Sequence, residues 1–292
     1  NCSFRALNYI RHFDVGAVID EIRRLLDRYR GIRMFIFDDD LFTFDRDYVV
    51  EFCEAYREVT DLPFVVNAHV GFFDEARAEA LASANCRIVK LGLESGSPRI
   101  RNQIMNRHMT NEAIIEAIAT IERFGMHSSV FVMLGLPHEQ REDLMQTVDL
   151  LAEAKPGRFR WTFFYPFPGT RAHEISVEGG FVDERRMNAL TNFTDASCLE
   201  FGPEQNLLLR KLGQVLPWFV NAASEFPCRG DYARRVEEIL AMDEPAWDAV
   251  ADDLRDEDAR LSERMVAGNL RHYAIKYNRF MGVISDYFLN EE

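Results

Sequence analysis

RIVKLGLESGSPRIRNQIMNRHMTNEAIIEAIATIERFGMHSSVFVMLGLPHE, residues 87–139, contains the alternation on which the fold turns. An apolar run, Arg87–Leu93, gives way to the polar step Glu94-Ser95. Ile114, Ile118 and Ile121 then recur at helical spacing, and a second apolar run follows at His127–Leu134. Short strands flanking an amphipathic helix mark a βαβ unit, and mostly apolar runs, instead of cleanly alternating ones, mark parallel strands covered on both faces. Thr110, ahead of Asn111, Glu112 and Ala113, gives the helix a cap-like start.

The same period extends outward. Arg33–Asp38 and Pro63–Ala68 read as strands upstream and Arg158–Tyr165 as one downstream. A first helix carries Val15, Val18, Ile22, Leu25 and Tyr29 on one stripe, with Asp14 as its N-cap and Gly31 near its end. A right-handed crossover needs a strand on each side of its helix, so a further strand ending just before Asn1 is expected. The expected class is α/β: a (β/α)6 partial TIM barrel lacking its first strand over residues 1–178, then a mostly helical region over residues 179–292. In that region Leu207–Val220, Asp231–Met242 and Leu261–Tyr287 carry helical spacing, and no strand is expected. The acidic patch Asp252–Asp258 lacks the spacing and glycine of a calcium loop and reads as a solvated helix face.

Composition narrows the function. With 292 residues, 47% of them hydrophobic, the chain is long enough for one large domain or a barrel plus an appendage. A net charge of -14 argues against a broad nucleic-acid interface, which would draw its affinity from neutralising phosphates. No run approaches the roughly 20 apolar residues of a membrane span and no signal peptide precedes the first helix, so a cytoplasmic protein with no membrane partner is expected. The five cysteines are scattered and odd in number, unlike a disulfide framework, and Cys53 and Cys86 sit in apolar surroundings that suit a core. The aromatics Trp161, Phe163, Phe164, Tyr165, Trp218 and Phe219 likewise read as core before they read as a substrate pocket.

In parallel α/β barrels the functional groups gather at the C-terminal ends of strands. Here those ends read Asp38, Asp39 and Asp40; Asn67 and His69; Glu94 and Ser95; Gly135, His138 and Glu139; and Tyr165 ahead of a Pro-Phe-Pro-Gly turn. Polar clusters at five successive ends point to a site.

The strings FDDDLFTFDRDYVVEFCEA, KLGLESGS, FVMLGLPHEQREDL and FFYPFPGT, in this order and at these separations, carry more. From about Asn1 to about Ile175 the chain resembles radical S-adenosylmethionine (SAM) enzymes, especially the branch that commonly has an upstream cobalamin-binding domain. The resemblance implies a [4Fe–4S] cluster held by a CxxxCxxC loop, reductive cleavage of SAM at that cluster, and an external electron donor such as flavodoxin or ferredoxin. It implies a small-molecule or peptide substrate, with methylation of an unactivated carbon using cobalamin as the leading reaction and ring closure or rearrangement as alternatives.

Carried over by position, Asp38, Asp39 and Asp40 would meet the amino group of SAM, a sensible pairing of carboxylate with ammonium. Glu94 and Ser95 would meet its ribose or amino-acid part, although Ser95 and Ser97 would serve equally as caps of the next helix. Gly135, Leu136 and Pro137 would bring backbone to the adenine, and Glu139 reads as the start of a helix. Arg107 and His108 would either meet the carboxylate of SAM or lie in solvent.

The cluster motif departs from the family pattern. Cys2 matches its second cysteine, Arg5 stands where the third belongs, and the first would precede Asn1. A naturally cluster-less relative that binds SAM or a partner, a cut chain, and omitted residues around Phe4 and Arg5 all account for this. A barrel using Asp38–Asp40 with a divalent metal is a further alternative, weakened because adjacent extended residues point to alternate sides.

Overall fold

The computed structural model describes residues 12–278 and 282–288. The chain divides into two compact units: an N-terminal unit, running to Gly92 and including Glu112–Val130, and a C-terminal unit made of Leu93–Asn111 and the chain from Phe131 onward.

The N-terminal unit is built from α1 (Val15–Arg28), β1 (Phe35–Phe37), α2 (Arg46–Arg57), β2 (Phe64–Ala68), α3 (Glu75–Ser83), most of β3 (Cys86–Glu94), most of α4 (Asn111–Arg123) and the start of β4 (His127–Leu134). Its strand order is β1-β2-β3-β4, with β1, β2 and β3 parallel. Asp14 caps α1 by accepting from the Ala17 amide at 3.2 Å, and the helix buries Val15, Ile19 and Ile22. The two sides of β1 differ: Phe35 and Phe37 pack their rings on Tyr56, whereas Ile36 between them is 62% exposed. Phe52, Tyr56 and Phe64 complete a buried aromatic cluster, and the Tyr56 hydroxyl donates to the Leu62 carbonyl, so its polar end is satisfied as well. Cys53 and Cys86 are buried in this unit, as their surroundings in the sequence suggest.

The C-terminal unit has the strand order β3-β4-β5-β7-β6, with β5 (Arg158–Phe163), β6 (His272–Asn278) and β7 (Gly282–Phe288). Its helices are α5 (Pro98–Gln103), α6 (Arg141–Ala154), α7 (Arg171–Glu178), α8 (Glu184–Ala189), α9 (Pro203–Ala223), α10 (Arg229–Ala241), α11 (Glu244–Asp248) and α12 (Leu254–Ala267), with α4 and α5 numbered here by order of introduction. The kink in α9 falls at Val215, whose φ of -132° is not helical. Pro217 has no amide to give the Gly213 carbonyl one turn back. That carbonyl accepts the Trp161 indole N–H instead, at 2.8 Å, which ties the kinked helix to β5. Trp161, Trp218 and Phe219 are core residues, as read from the sequence.

The tail departs from the helical expectation. Helix α12 stops at Ala267, Gly268 caps it, Asn269 turns the chain with φ of 52°, and β6 and β7 form an antiparallel pair in place of a helix reaching Tyr287. β7 adds antiparallel to β5. The string HYAIKYN is rich in aromatic and β-branched residues, and short apolar runs of this kind satisfy helical and strand spacing alike. Tertiary partners decide the outcome. Asn221 on α9 exchanges two hydrogen bonds with the Tyr273 main chain, and the Tyr273 hydroxyl donates to the Pro156 carbonyl at 2.6 Å.

Asp258 is a second departure. It is 3% exposed, not part of a solvated face, and accepts from the Trp218 indole (2.6 Å) and the Ile275 amide (2.8 Å). Burial raises its pKa to about 6 against those two donors. No helix among the described residues is long and apolar enough to cross a membrane.

Candidate functional site

The residues singled out from the sequence fall into two clusters, one in each unit. In the C-terminal unit, Glu94 closes β3 with a left-handed φ of 69°, a conformation rarely adopted by residues other than glycine and one that recurs at functional sites. Its carboxylate meets the Arg107 guanidinium at 3.2 Å, with the two side chains 16% and 31% exposed, so the pair is within reach of a ligand. Burial pushes the Glu94 carboxyl above its ordinary range and Arg107 draws it back. Arg107 is therefore neither simply solvated nor free, while His108 is hydrogen-bonded to the Asn106 side chain at 3.0 Å.

The segment after Glu94 is held from inside. Gly96 has no room for a side chain: a Cβ there would lie 2.2 Å from the Gln146 carbonyl oxygen. Its amide donates to the Thr147 hydroxyl at 2.8 Å. Ser95 is fully buried and its hydroxyl accepts from the Ser97 amide, so the alternative reading, in which these serines serve the next helix, describes their contacts. Ser97 caps α5 through the Ile100 amide and donates to Asp143 at 2.6 Å. Asp143 also pairs with Arg99 and accepts from the Gln140 amide; burial alone would raise its pKa, but these donors hold the carboxyl below the ordinary value.

Arg101, which sequence reasoning missed, is fully buried and donates to the carbonyls of Ser95 and Met109 and to the Asn111 side chain. It braces both the Glu94–Ser95 step and the connection that carries Arg107. A lone arginine inside SPRIRNQ gives no periodic signal that separates it from surface charge.

The third element is the turn Gly135-Leu136-Pro137. Gly135 has φ of 76° and a Cβ on it would stand 3.1 Å from the Ser197 hydroxyl, so a side chain is disfavoured on both counts. Glu139 does not begin a helix, as read from the sequence: α6 starts at Arg141, and Glu139 is fully buried with one carboxyl oxygen accepting from the Gly135 (2.7 Å) and Leu136 (3.1 Å) amides. Its other oxygen has no hydrogen-bond partner. Burial outweighs the two amides and raises its pKa to about 8, so near neutral pH a protonated carboxyl bridges the turn. The amides of Gly135 and Leu136 are thereby taken up within the fold.

In the N-terminal unit the three aspartates separate by role. Asp38 is 81% exposed and lies 3.5 Å from the Lys90 ammonium; the Asn67 amide group donates to Asp38 (3.3 Å) and to the Asp39 carbonyl (2.8 Å). Asn67 and Lys90 are register partners on β2 and β3, which explains why they converge. Asp39 accepts from the Leu41 amide and shapes the turn, and Asp40 is exposed. Among the described residues no group of three or more His, Cys, Asp or Glu side chains is placed to hold a metal ion.

The family model described as the radical SAM superfamily matches residues 2–151. The chain belongs to the radical SAM superfamily. The family pairs SAM with a [4Fe–4S] cluster, and the resemblance to it, of which GLESGS and MLGLPHE fall within the matched residues, is thereby borne out. Among curated relatives, an uncharacterized methyltransferase of Pyrococcus horikoshii is 29% identical over 204 residues, covering 69% of this chain and 44% of that protein. Cytidylyl-2-hydroxyethylphosphonate methyltransferase of Streptomyces wedmorensis is 28% identical over 182 residues, 60% of this chain and 34% of the relative. The chain thus spans less than half the length of either. Anaerobic coproporphyrinogen III oxidase of Escherichia coli, described as a radical SAM enzyme, shares the fold with a TM-score of 0.54 at 14% identity, covering 92% of this chain and 54% of that one.

Cys53, Cys86, Cys198 and Cys228 are all buried, and among the described residues they form no group of three able to hold a metal ion. Cys2, the expected ligand, lies outside the described residues. The described residues therefore supply no ligand set for the cluster.

Proposed function

We propose that this chain is the SAM-binding catalytic segment of a radical SAM methyltransferase that acts on a small-molecule or peptide substrate. In this reading cobalamin is bound by a further domain, and a flavodoxin or ferredoxin supplies electrons. The observation that carries the proposal is the Glu94–Arg107 pair, a strained, partly buried carboxylate paired with a guanidinium at the C-terminal end of a parallel strand. Methyltransferase names among the relatives support the reaction class.

Bound SAM supplies a sulfonium-activated methyl group and a cleavable adenosyl carbon. Glu94, whose carboxyl burial pushes above its ordinary range while Arg107 draws it back in part, presents its oxygens to ribose hydroxyls, and Arg107 has further N–H donors for a carboxylate. The Gly135 turn, fixed by Glu139, gives a purine a close-packed backbone surface. Ser95 acts by holding the step beside Glu94, since its hydroxyl is engaged within the fold.

The test is product analysis. The full gene product, reconstituted anaerobically with iron, sulfide and cobalamin and given SAM, a reductant and candidate methyl acceptors, should accumulate S-adenosylhomocysteine, the residue of methyl donation, together with 5′-deoxyadenosine and a methylated acceptor. Formation of 5′-deoxyadenosine alone would assign ring closure or rearrangement instead, and formation of neither would leave a barrel that binds without catalysis.

A further inference from the structure

A cavity of about 550 Å³ opens in the C-terminal unit beside Phe163, the last residue of β5. Phe163, Leu199, Leu207 and Leu209 form an apolar wall, and the volume and lining are those of a small-molecule site. Every lining residue lies beyond the stretch matched by the family model. Ser197 and Leu209 line it and are also the side chains nearest Gly135.

Its polar rim carries two carboxylates, Glu200 and Glu244, and two guanidiniums, Arg186 and Arg210. Arg186 pairs with Glu200 at 2.7 Å and, away from the cavity lining, with Asp183 at 3.5 Å; Arg210 pairs with Glu244 at 2.8 Å and, also away from the lining, with Asp248, so both guanidiniums have a second carboxylate while Glu200 and Glu244 face the cavity. Glu200 is fixed independently of Arg186: one of its oxygens accepts from the Gly202 amide (2.8 Å) and the Asn206 side chain, neutral donors that hold the carboxylate without cancelling its charge. Its other oxygen meets Arg186, with both side chains about two-fifths exposed, and ion pairs so exposed contribute little. A ligand ammonium can replace that guanidinium at small cost, and Arg186 keeps Asp183 as a partner when it leaves.

We propose that this cavity binds an apolar organic amine, its cationic head on Glu200 and its body against Phe163, Leu199, Leu207 and Leu209. That such an amine is the substrate rests on the methyl-transfer reading; the binding itself does not, and it is measured without cluster or SAM.

Calorimetric titration of the full chain near neutral pH with three matched probes, naphthylmethylamine, naphthylmethanol and naphthylacetate, tests it. The amine should bind at least about tenfold more tightly than the alcohol, and the acetate more weakly than either. Glu200→Gln should reduce the amine to the affinity of the alcohol and leave the alcohol unchanged. Leu207→Trp should weaken all three, and Ala196→Leu serves the same purpose if thermal melting shows that the tryptophan variant is unfolded. Equal affinity for amine and acetate, an amine affinity unmoved by Glu200→Gln, or no binding of any probe would overturn the proposal.

Discussion

Replacing Glu139 by Gln should remove a large pH dependence from the stability of the chain. In the folded protein burial pushes the Glu139 carboxyl to about 8, against an ordinary value of 4.5. Below the ordinary value both folded and unfolded chains hold the proton, and the residue contributes no pH dependence. Between 4.5 and about 8 the unfolded chain is ionised and the folded one protonated, so the native state binds more protons and stability falls as pH rises. Each pH unit in that window costs the wild type about 1.4 kcal/mol, and from about pH 5 to about pH 8 the loss approaches a ceiling of roughly 4 kcal/mol. A glutamine side-chain oxygen can accept the same Gly135 and Leu136 amides with no charge to desolvate, so Glu139→Gln should lack this loss. Asp258, with its own raised pKa, is present in both proteins and cancels in the difference. Urea unfolding followed by circular dichroism at unit steps of pH measures that difference directly. Wild-type and variant stabilities that run parallel across the window would refute the assignment of a buried, protonated Glu139.

Other substitutions probe the same framework. Arg107→Met leaves Glu94 buried without its cation and should lower stability by about 1–3 kcal/mol, less than the loss of a fully buried pair because both side chains retain some exposure, as read from thermal melting. Gly96→Ala would force a Cβ to within 2.2 Å of backbone that cannot swing aside, and Gly213→Ala would meet the Phe163 ring at 2.3 Å. Both should destabilise by about 1–3 kcal/mol or more, with Gly96→Ala the worse of the two because a ring can shift and the Gln146 carbonyl cannot. An unchanged melting temperature in either variant would contradict the packing described.

The alternation of strands and helices up to β5 was legible because each element there satisfies one period and has its signals nearby. Asp14 caps α1, and the apolar runs of β3 and β4 sit within a residue of their observed ends. Glu94 and the Gly135 turn could be named in advance because strand ends announce themselves by a change from apolar to polar, whereas Arg107, away from any strand end, could be named only through the family resemblance. What stayed hidden depends on partners far along the chain. The β6 segment is a strand because Asn221, some fifty residues earlier, offers its amide to the Tyr273 main chain. Asp258 is buried because Trp218 and Ile275 both need an acceptor, and it stands among acidic residues that are exposed. Glu139 and Arg101 are charged residues whose burial is set by backbone groups that only the folded turn brings together. The pairing of Lys90 with Asp38 needed the register of β2 on β3.

We propose that Glu94, paired with Arg107, binds SAM. Equilibrium dialysis of labelled SAM against the reconstituted full gene product tests it most directly, comparing wild type with Glu94→Gln, which keeps the shape of the side chain and replaces one accepting oxygen by an amide nitrogen. Glu94→Gln should bind SAM at least about tenfold more weakly while folding normally, an acceptor lost beside a donor being worth about 1–3 kcal/mol. Undiminished SAM affinity in a folded Glu94→Gln protein would contradict it.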